Sequence, residues 1–161
     1  MNPQKAARMA CDRHSVKMVL ESAQLLCSGV ILNGGTAPYG LSHKHHPSTK
    51  WVAHSKENWL WLKAYALALC EEYTHRYGRI HKSQAIIEQI DGDCIPSRGF
   101  TQIPLAMPDI YKSNDAVKSY RDYYRYGKSY MNKGQGPLWR KDPSRKPAWF
   151  GVCEYEPPIV N

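Results

Sequence analysis

Three observations predict an all-α fold: two long helical segments bounded by capping residues, a third behind Asn114-Asp115, and long loops rich in glycine and proline between them. At 161 residues the chain has material for one modest core, so residues 1–161 are expected to form a single, compact domain with a proline-rich C-terminal tail.

The first helix is expected from Pro3, which suits a first turn, to Ser28, with Gly29 as its stop. Val16, Val19, Leu20, Ala23, Leu26 and Cys27 form its broad apolar face. Val30 to Gly40 holds Asn33-Gly34-Gly35 and Pro38 and reads as a turn or short hairpin loop. A polar loop, His43 to Pro47, follows. Ser48 and Ser55 suit helix N-caps, and the Trp, Leu and Ala content from Thr49 to Tyr77 predicts a second long helix, broken near Ser55 and stopped by Gly78. A short helix is expected over 83–90, and Asp91 to Lys112 should be irregular. Asn114 and Asp115 can cap a further helix reaching Tyr126. From Gly134 onward the chain should wrap over the body, anchored by Trp139, Trp149 and Phe150.

The net charge is +8, with 22 Lys and Arg against 14 Asp and Glu, which favours polyanions or phosphate-bearing small molecules as partners in a salt-dependent way, or serves solubility alone. Eleven tyrosines and five tryptophans stand against two phenylalanines, a balance that suits surfaces where rings stack on bases. Cys11, Cys27, Cys70, Cys94 and Cys153 are scattered, odd in number and without a Cys-x-x-Cys pair, which argues against a disulfide framework or zinc site and for a reducing cytoplasm. No unbroken apolar run of membrane-spanning length and no signal-like start is visible, so no membrane partner is expected. GxxxxGK[ST], GxSxG and Rossmann fingerprints are absent, leaving triphosphatases, serine hydrolases and dinucleotide oxidoreductases without support.

Three patterns could carry chemistry. His14, Lys17, Glu21 and Gln24 step by three, four and three, occupying about 80° of a helix. Apolar residues flank the stripe, so it is either a seam satisfied internally, with Lys17 and Glu21 as an i, i+4 pair, or the floor of a ligand site. In the loop of His43, Lys44, His45 and His46, the first two and His46 could recognise phosphate or sugar, or the imidazoles could join Glu71 and His75 at a metal, or the segment could be an ordinary loop. Lys118, Arg121, Arg125 and Lys128 repeat the three-four-three step among Tyr120, Tyr123, Tyr124 and Tyr126, giving a phosphate-gripping stripe or a solvated basic face. Glu57, Lys63, Glu72 and Arg76 read as ordinary surface charges.

Asp12, His14 and Glu21, an Asp-x-His with a Glu nine positions after the Asp, resemble the phage pyrimidine-dimer DNA glycosylase (endonuclease V) family. The aromatic-Gly step Tyr77-Gly78 and the tail Lys146-Pro147-Ala148-Trp149-Phe150 extend the likeness. His46-Pro47…Trp51 and Met107-Pro108-Asp109-Ile110-Tyr111 are similar to steps in other phage proteins. The resemblance implies a helical fold with the catalytic carboxylate on the first helix, matching Glu21. It also implies an N-terminal α-amine, normally that of a threonine exposed by Met removal, that forms an imine with the sugar while the Glu moves protons.

Here Asn2 stands second, and its size should keep Met1 in place. That change alters the nucleophile while leaving phosphate binding intact. The function expected first is therefore binding of a phosphate-bearing nucleotide, such as a cyclic dinucleotide or ADP-ribose-type immune signal, with sequestration or hydrolysis equally open. Glu21 and His14 would be the catalytic pair. Lys17, Gln24, His43, Lys44, His46, Arg121, Arg125 and Lys128 would hold the ligand, with Trp51 or Tyr124 stacking on its base. The alternative is a DNA N-glycosylase/AP lyase using the Met1 amine. No cofactor or metal is expected, the setting would be the cytoplasm of an infected bacterium, and self-association is left open.

Overall fold

The computed structural model describes residues 2–151, and Met1 and Cys153, both named above, lie outside them. Among the described residues all regular structure is helical, as the sequence predicts. α1 (Pro3–Arg8) and α2 (Asp12–Leu32) are followed by α3 (Pro47–His54), α4 (Lys56–Tyr77) and α5 (Gln84–Gln89); α6 (Ala116–Asp122) runs into a π-helical turn, Tyr123–Gly127. α2 and α4 form the central pair, α1 lies on α4, and α3 and α5 pack against both. Val19, Ala23 and Leu26 of α2 meet Trp59, Ala66 and Leu69 of α4 in the buried core. A smaller cluster gathers Cys11, Met131 and Trp139 around Tyr124 and Phe150.

The first predicted helix is two. The chain breaks at Met9–Cys11 because side chains from far along the sequence take up the backbone there. Arg76 of α4 donates to the carbonyls of Arg8 (3.1 Å) and Ala10 (2.8 Å), and Trp139 Nε1 donates to that of Met9 (3.1 Å). The Cys11 N–H donates to the Tyr124 hydroxyl at 2.9 Å. Peptide groups satisfied from outside have no need of a continuing helix.

Gly29 does not end α2, which continues to Leu32. Its missing side chain admits Trp59: a Cβ there would lie 3.1 Å from Trp59 Cδ1. The end is made instead by Asn33, whose Nδ2 donates to Gly29 O (2.8 Å) and Ala53 O (3.0 Å). α2 has a mean hydropathy of 1.4 over 18 residues and, by length and composition, is apolar enough to cross a membrane, contrary to the sequence expectation. Its place at the centre of the core accounts for that character.

α3 begins at Pro47 behind His46 rather than at Ser48, and α6 gives way to the π-turn before Tyr126, whereas the boundaries of α4 fall where expected. Ser55 separates α3 from α4 and caps the latter, its Oγ accepting from Asn58 N (3.2 Å), and α4 stops at Gly78. Glu57 is no idle surface charge: it accepts from the Ser97 hydroxyl and from the N–H groups of Arg98 (3.2 Å) and Gly99 (2.9 Å), pinning the irregular 91–112 segment. Glu72 and Arg76 are likewise buried rather than on the surface.

Candidate functional site

A cavity of about 430 Å³ opens beside the α1–α2 break. Asn2, Lys5 and Met9 line it from the α1 side, and His14 and Met18 from α2. Trp61 and Tyr65 of α4 form another wall. Tyr120, Arg121, Tyr124 and Trp149 close it from the second half of the chain. Among the described residues no carboxylate lines it, and Lys5 and Arg121 are the lining cations.

Local chain geometry places these groups. Asn2 caps α1, its Oδ1 accepting from Lys5 N at 2.8 Å. Asp12 opens α2 with its carboxylate bound by the N–H groups of Arg140 (2.7 Å) and Lys141 (3.0 Å), which ties the tail to the elbow. His14 follows, and its Nδ1 lies 2.9 Å from the Tyr124 hydroxyl with the rings edge-on. Burial, helped by the charges of Lys128 and Lys17, lowers the His14 pKa to about 4, so the imidazole is neutral at physiological pH.

Glu21 sits seven residues beyond His14, about 20° round the helix and about 10 Å along it, which puts it on the same helix face but not among the cavity's lining residues. It pairs with Lys17 at 2.9 Å and its side chain is 37% exposed, so the i, i+4 pair read from the sequence is present. Glu21 still acts on the cavity through its charge: it opposes the downward shift of His14 and adds to the upward shift that burial imposes on the Tyr65 phenol.

The structure gathers His14, Arg121 and Tyr124 at the cavity, while Lys17 and Glu21 pair with each other on α2 and do not line it. Lys128 stands close enough to influence His14, over the rings of Tyr123 (4.5 Å) and Tyr130 (5.8 Å). Gln24 lies further along α2 and does not line the cavity. His43, Lys44 and His46 are exposed in a loop fastened to Ser28 through Ser42. Ser28 is fourteen residues from His14, about 21 Å along the helix, so these three do not join the site. His46 instead caps α3, Nδ1 accepting from Ser48 N at 3.2 Å.

Two further expectations are corrected by packing. Trp51 is buried, donates Nε1 to Thr101 O at 3.2 Å, and meets Trp61 and Phe100 edge-on; it is a core residue rather than a stacking platform. Arg125 turns inward to the Trp149 carbonyl (Nε at 2.9 Å) and lies over the Trp149 ring, so it holds the tail instead of a phosphate. The four-cation stripe is interrupted where α6 widens into the π-turn. Lys5, Trp61 and Tyr65 were missed as site residues; the aromatic i, i+4 step of Trp61 and Tyr65 was the available signal.

Among the described residues no group of three His, Cys, Asp or Glu side chains could hold a metal, and His75 bonds Asp142 at 2.8 Å. Cys11, Cys27, Cys70 and Cys94 are free thiols. What the site offers is a neutral imidazole and two cations around aromatic walls, with a carboxylate further along the same helix face. No curated protein matches the chain, and no solved structure does. The family model for pyrimidine dimer DNA glycosylase matches residues 1–85, the segment from α1 into α5 that carries Asp12, His14 and Glu21. On that match over more than half its length, the chain belongs to the pyrimidine dimer DNA glycosylase family.

Proposed function

We propose that the protein is a DNA N-glycosylase/AP lyase acting at the cavity beside the α1–α2 elbow. The observation that carries this reading is that His14, within the family's segment, lines the cavity, with Glu21 two turns further along the same helix face. Enzymes that act on a base must take its nucleotide out of the stack, and an aromatic-walled cavity of about 430 Å³ suits an everted ring. The net charge of +8 favours the DNA backbone.

In this chemistry an amine attacks C1′ of the damaged nucleotide as the base departs with a proton. The sugar ring then opens to give an imine, and Glu21 removes a proton from C2′ so that the 3′-phosphate is eliminated. Lys5 brings an amine to the cavity, and Asn2, which also lines it, is the neighbour of Met1. Nucleotide sequestration draws no support from the family assignment, and His46 and Arg125, both expected to serve it, are engaged elsewhere.

Borohydride trapping on a pyrimidine-dimer oligonucleotide tests the proposal. A covalent protein–DNA adduct is expected, and peptide mapping assigns the amine to Met1 or Lys5. Glu21→Gln should lower strand cleavage by at least about 100-fold. Absence of an adduct from the wild-type protein, or undiminished cleavage by the variant, refutes the reading.

A further inference from the structure

The half of the chain beyond the family match supplies the group that decides what His14 can do. Tyr124 stands in the π-helical turn that follows α6, where the backbone departs from α geometry, as single π-turns frequently do at working sites. Its ring is packed by Trp139, Trp149 and Phe150, with centroids 6.1, 6.2 and 6.3 Å away. Its hydroxyl lies 2.9 Å from both the Cys11 N–H and His14 Nδ1, with the Cys11 thiol as a further neighbour.

Donor accounting at that oxygen is decisive. The Cys11 N–H can only donate, so it takes one phenol lone pair. The phenol proton then needs an acceptor, and the His14 imidazole nitrogen is a far stronger one than the neighbouring Cys11 sulfur. The opposite arrangement, Nδ1–H donating to the phenol, would leave the hydroxyl proton only the weakly accepting Cys11 sulfur, at the cost of a poorly met buried donor. We propose that Tyr124 is a positioning residue that fixes His14 as the tautomer protonated on Nε2, so that the imidazole offers the cavity a hydrogen-bond donor and no base.

The surroundings agree. Burial holds the Tyr124 phenol protonated, well above its ordinary range. Lys128 beyond the π-turn, with Lys17 and Arg13 of α2, opposes a charge on His14, while Glu21 alone favours one. Lys5 and Arg121 line the same cavity. The preferred ligand atom at His14 is therefore an acceptor: a base carbonyl, a ring nitrogen or a deoxyribose oxygen. The role in catalysis rests on the glycosylase reading, whereas the tautomer stands on geometry alone.

Long-range ¹H–¹⁵N correlation spectra of the full chain labelled at histidine test this, with His14 assigned by its loss in His14→Gln. The wild-type protein should show one tautomer, Nδ1 bare and Nε2 protonated, unchanged as pH falls from neutrality until it approaches about 4. In Tyr124→Phe the two tautomers should mix, His14 should titrate nearer its ordinary value, and kcat on an abasic oligonucleotide should drop roughly tenfold or more with KM little changed. A wild-type spectrum showing Nδ1–H overturns the proposal whether or not the variant folds, as does an unaltered tautomer in a folded Tyr124→Phe. The expected spectrum together with no trapped adduct would sink the glycosylase reading while leaving the clamp in place.

Discussion

Arg76→Met should be among the most damaging single changes in this chain. The guanidinium is fully buried. It donates to the carbonyls of Ala10 and Arg8, at 2.8 and 3.1 Å, and to Glu72 through Nε and Nη2, at 3.2 and 3.0 Å. Asp12 lies 3.4 Å from Nη1. Methionine fills much of the volume but satisfies none of these acceptors. Glu72, with only 7% of its side chain exposed, would keep Arg145 at 3.1 Å as its remaining cation. Removing one partner of a buried pair costs about 3–5 kcal/mol, because the other charge is left without compensation. For a chain of this length, that lowers Tm by roughly 6–20 °C. Equilibrium urea unfolding followed by tryptophan fluorescence measures it, and Glu72→Gln added to Arg76→Met should recover part of the loss by removing the stranded charge. A loss below about 1 kcal/mol would mean that Arg76 does not hold the α1–α2 elbow.

Two other outcomes follow from the packing of α4. Glu57 is held down to about 2, first by the Ser97 hydroxyl and then by backbone N–H groups, so its folded pKa lies below its unfolded value. That contribution is complete above the ordinary carboxylate range and is lost as pH falls from there through about 2. Glu57→Gln should therefore unfold at lower urea than wild type at pH 7, the gap closing on acidification; equal midpoints at pH 7 would dismiss the anchor. Gly92→Ala would put a Cβ 2.8 Å from Cδ2 of Trp59, whose ring is buried and tied by Nε1 to Leu26 O at 3.1 Å. The overpacking should cost about 1–3 kcal/mol in the same unfolding assay, and a neutral result would show that Trp59 can yield.

The sequence was most readable where the signal is local. Ser55, Gly78 and Asp115 end or begin helices through contacts within a few residues, and the Lys17–Glu21 pair follows from one turn of helix. The α1–α2 break was hidden because its causes, Arg76, Tyr124 and Trp139, stand far away in the sequence. Gly29 carried the usual mark of a helix end, yet here it makes room for an indole. Trp51 and Trp61 share a helix-rich segment and a similar neighbourhood, and only tertiary packing sends one to the core and the other to the cavity. The histidine loop was chemically suggestive, but proximity in sequence gave it no access to His14. Arg125 matched the cationic period and was turned inward by a π-turn that no periodicity marks.

The neutrality of His14 also bears on the charge balance of the proposed chemistry. Imine formation passes through a cationic nitrogen, and Lys5 and Arg121 already line the cavity where it would form. A protonated His14 about 4 Å from that nitrogen would add repulsion of about 4 kcal/mol at an effective dielectric of 20, roughly a thousandfold in rate. A neutral imidazole donating Nε2–H avoids that cost and still supplies a polar contact. The opposing charge comes from Glu21, which pairs with Lys17 at 2.9 Å and which the proposed chemistry uses to take a proton from the sugar. In this reading the matched segment contributes the acid and the imidazole, while burial, with Lys128 from the unmatched half and Lys17 and Arg13 from α2, disfavours a charge on that imidazole.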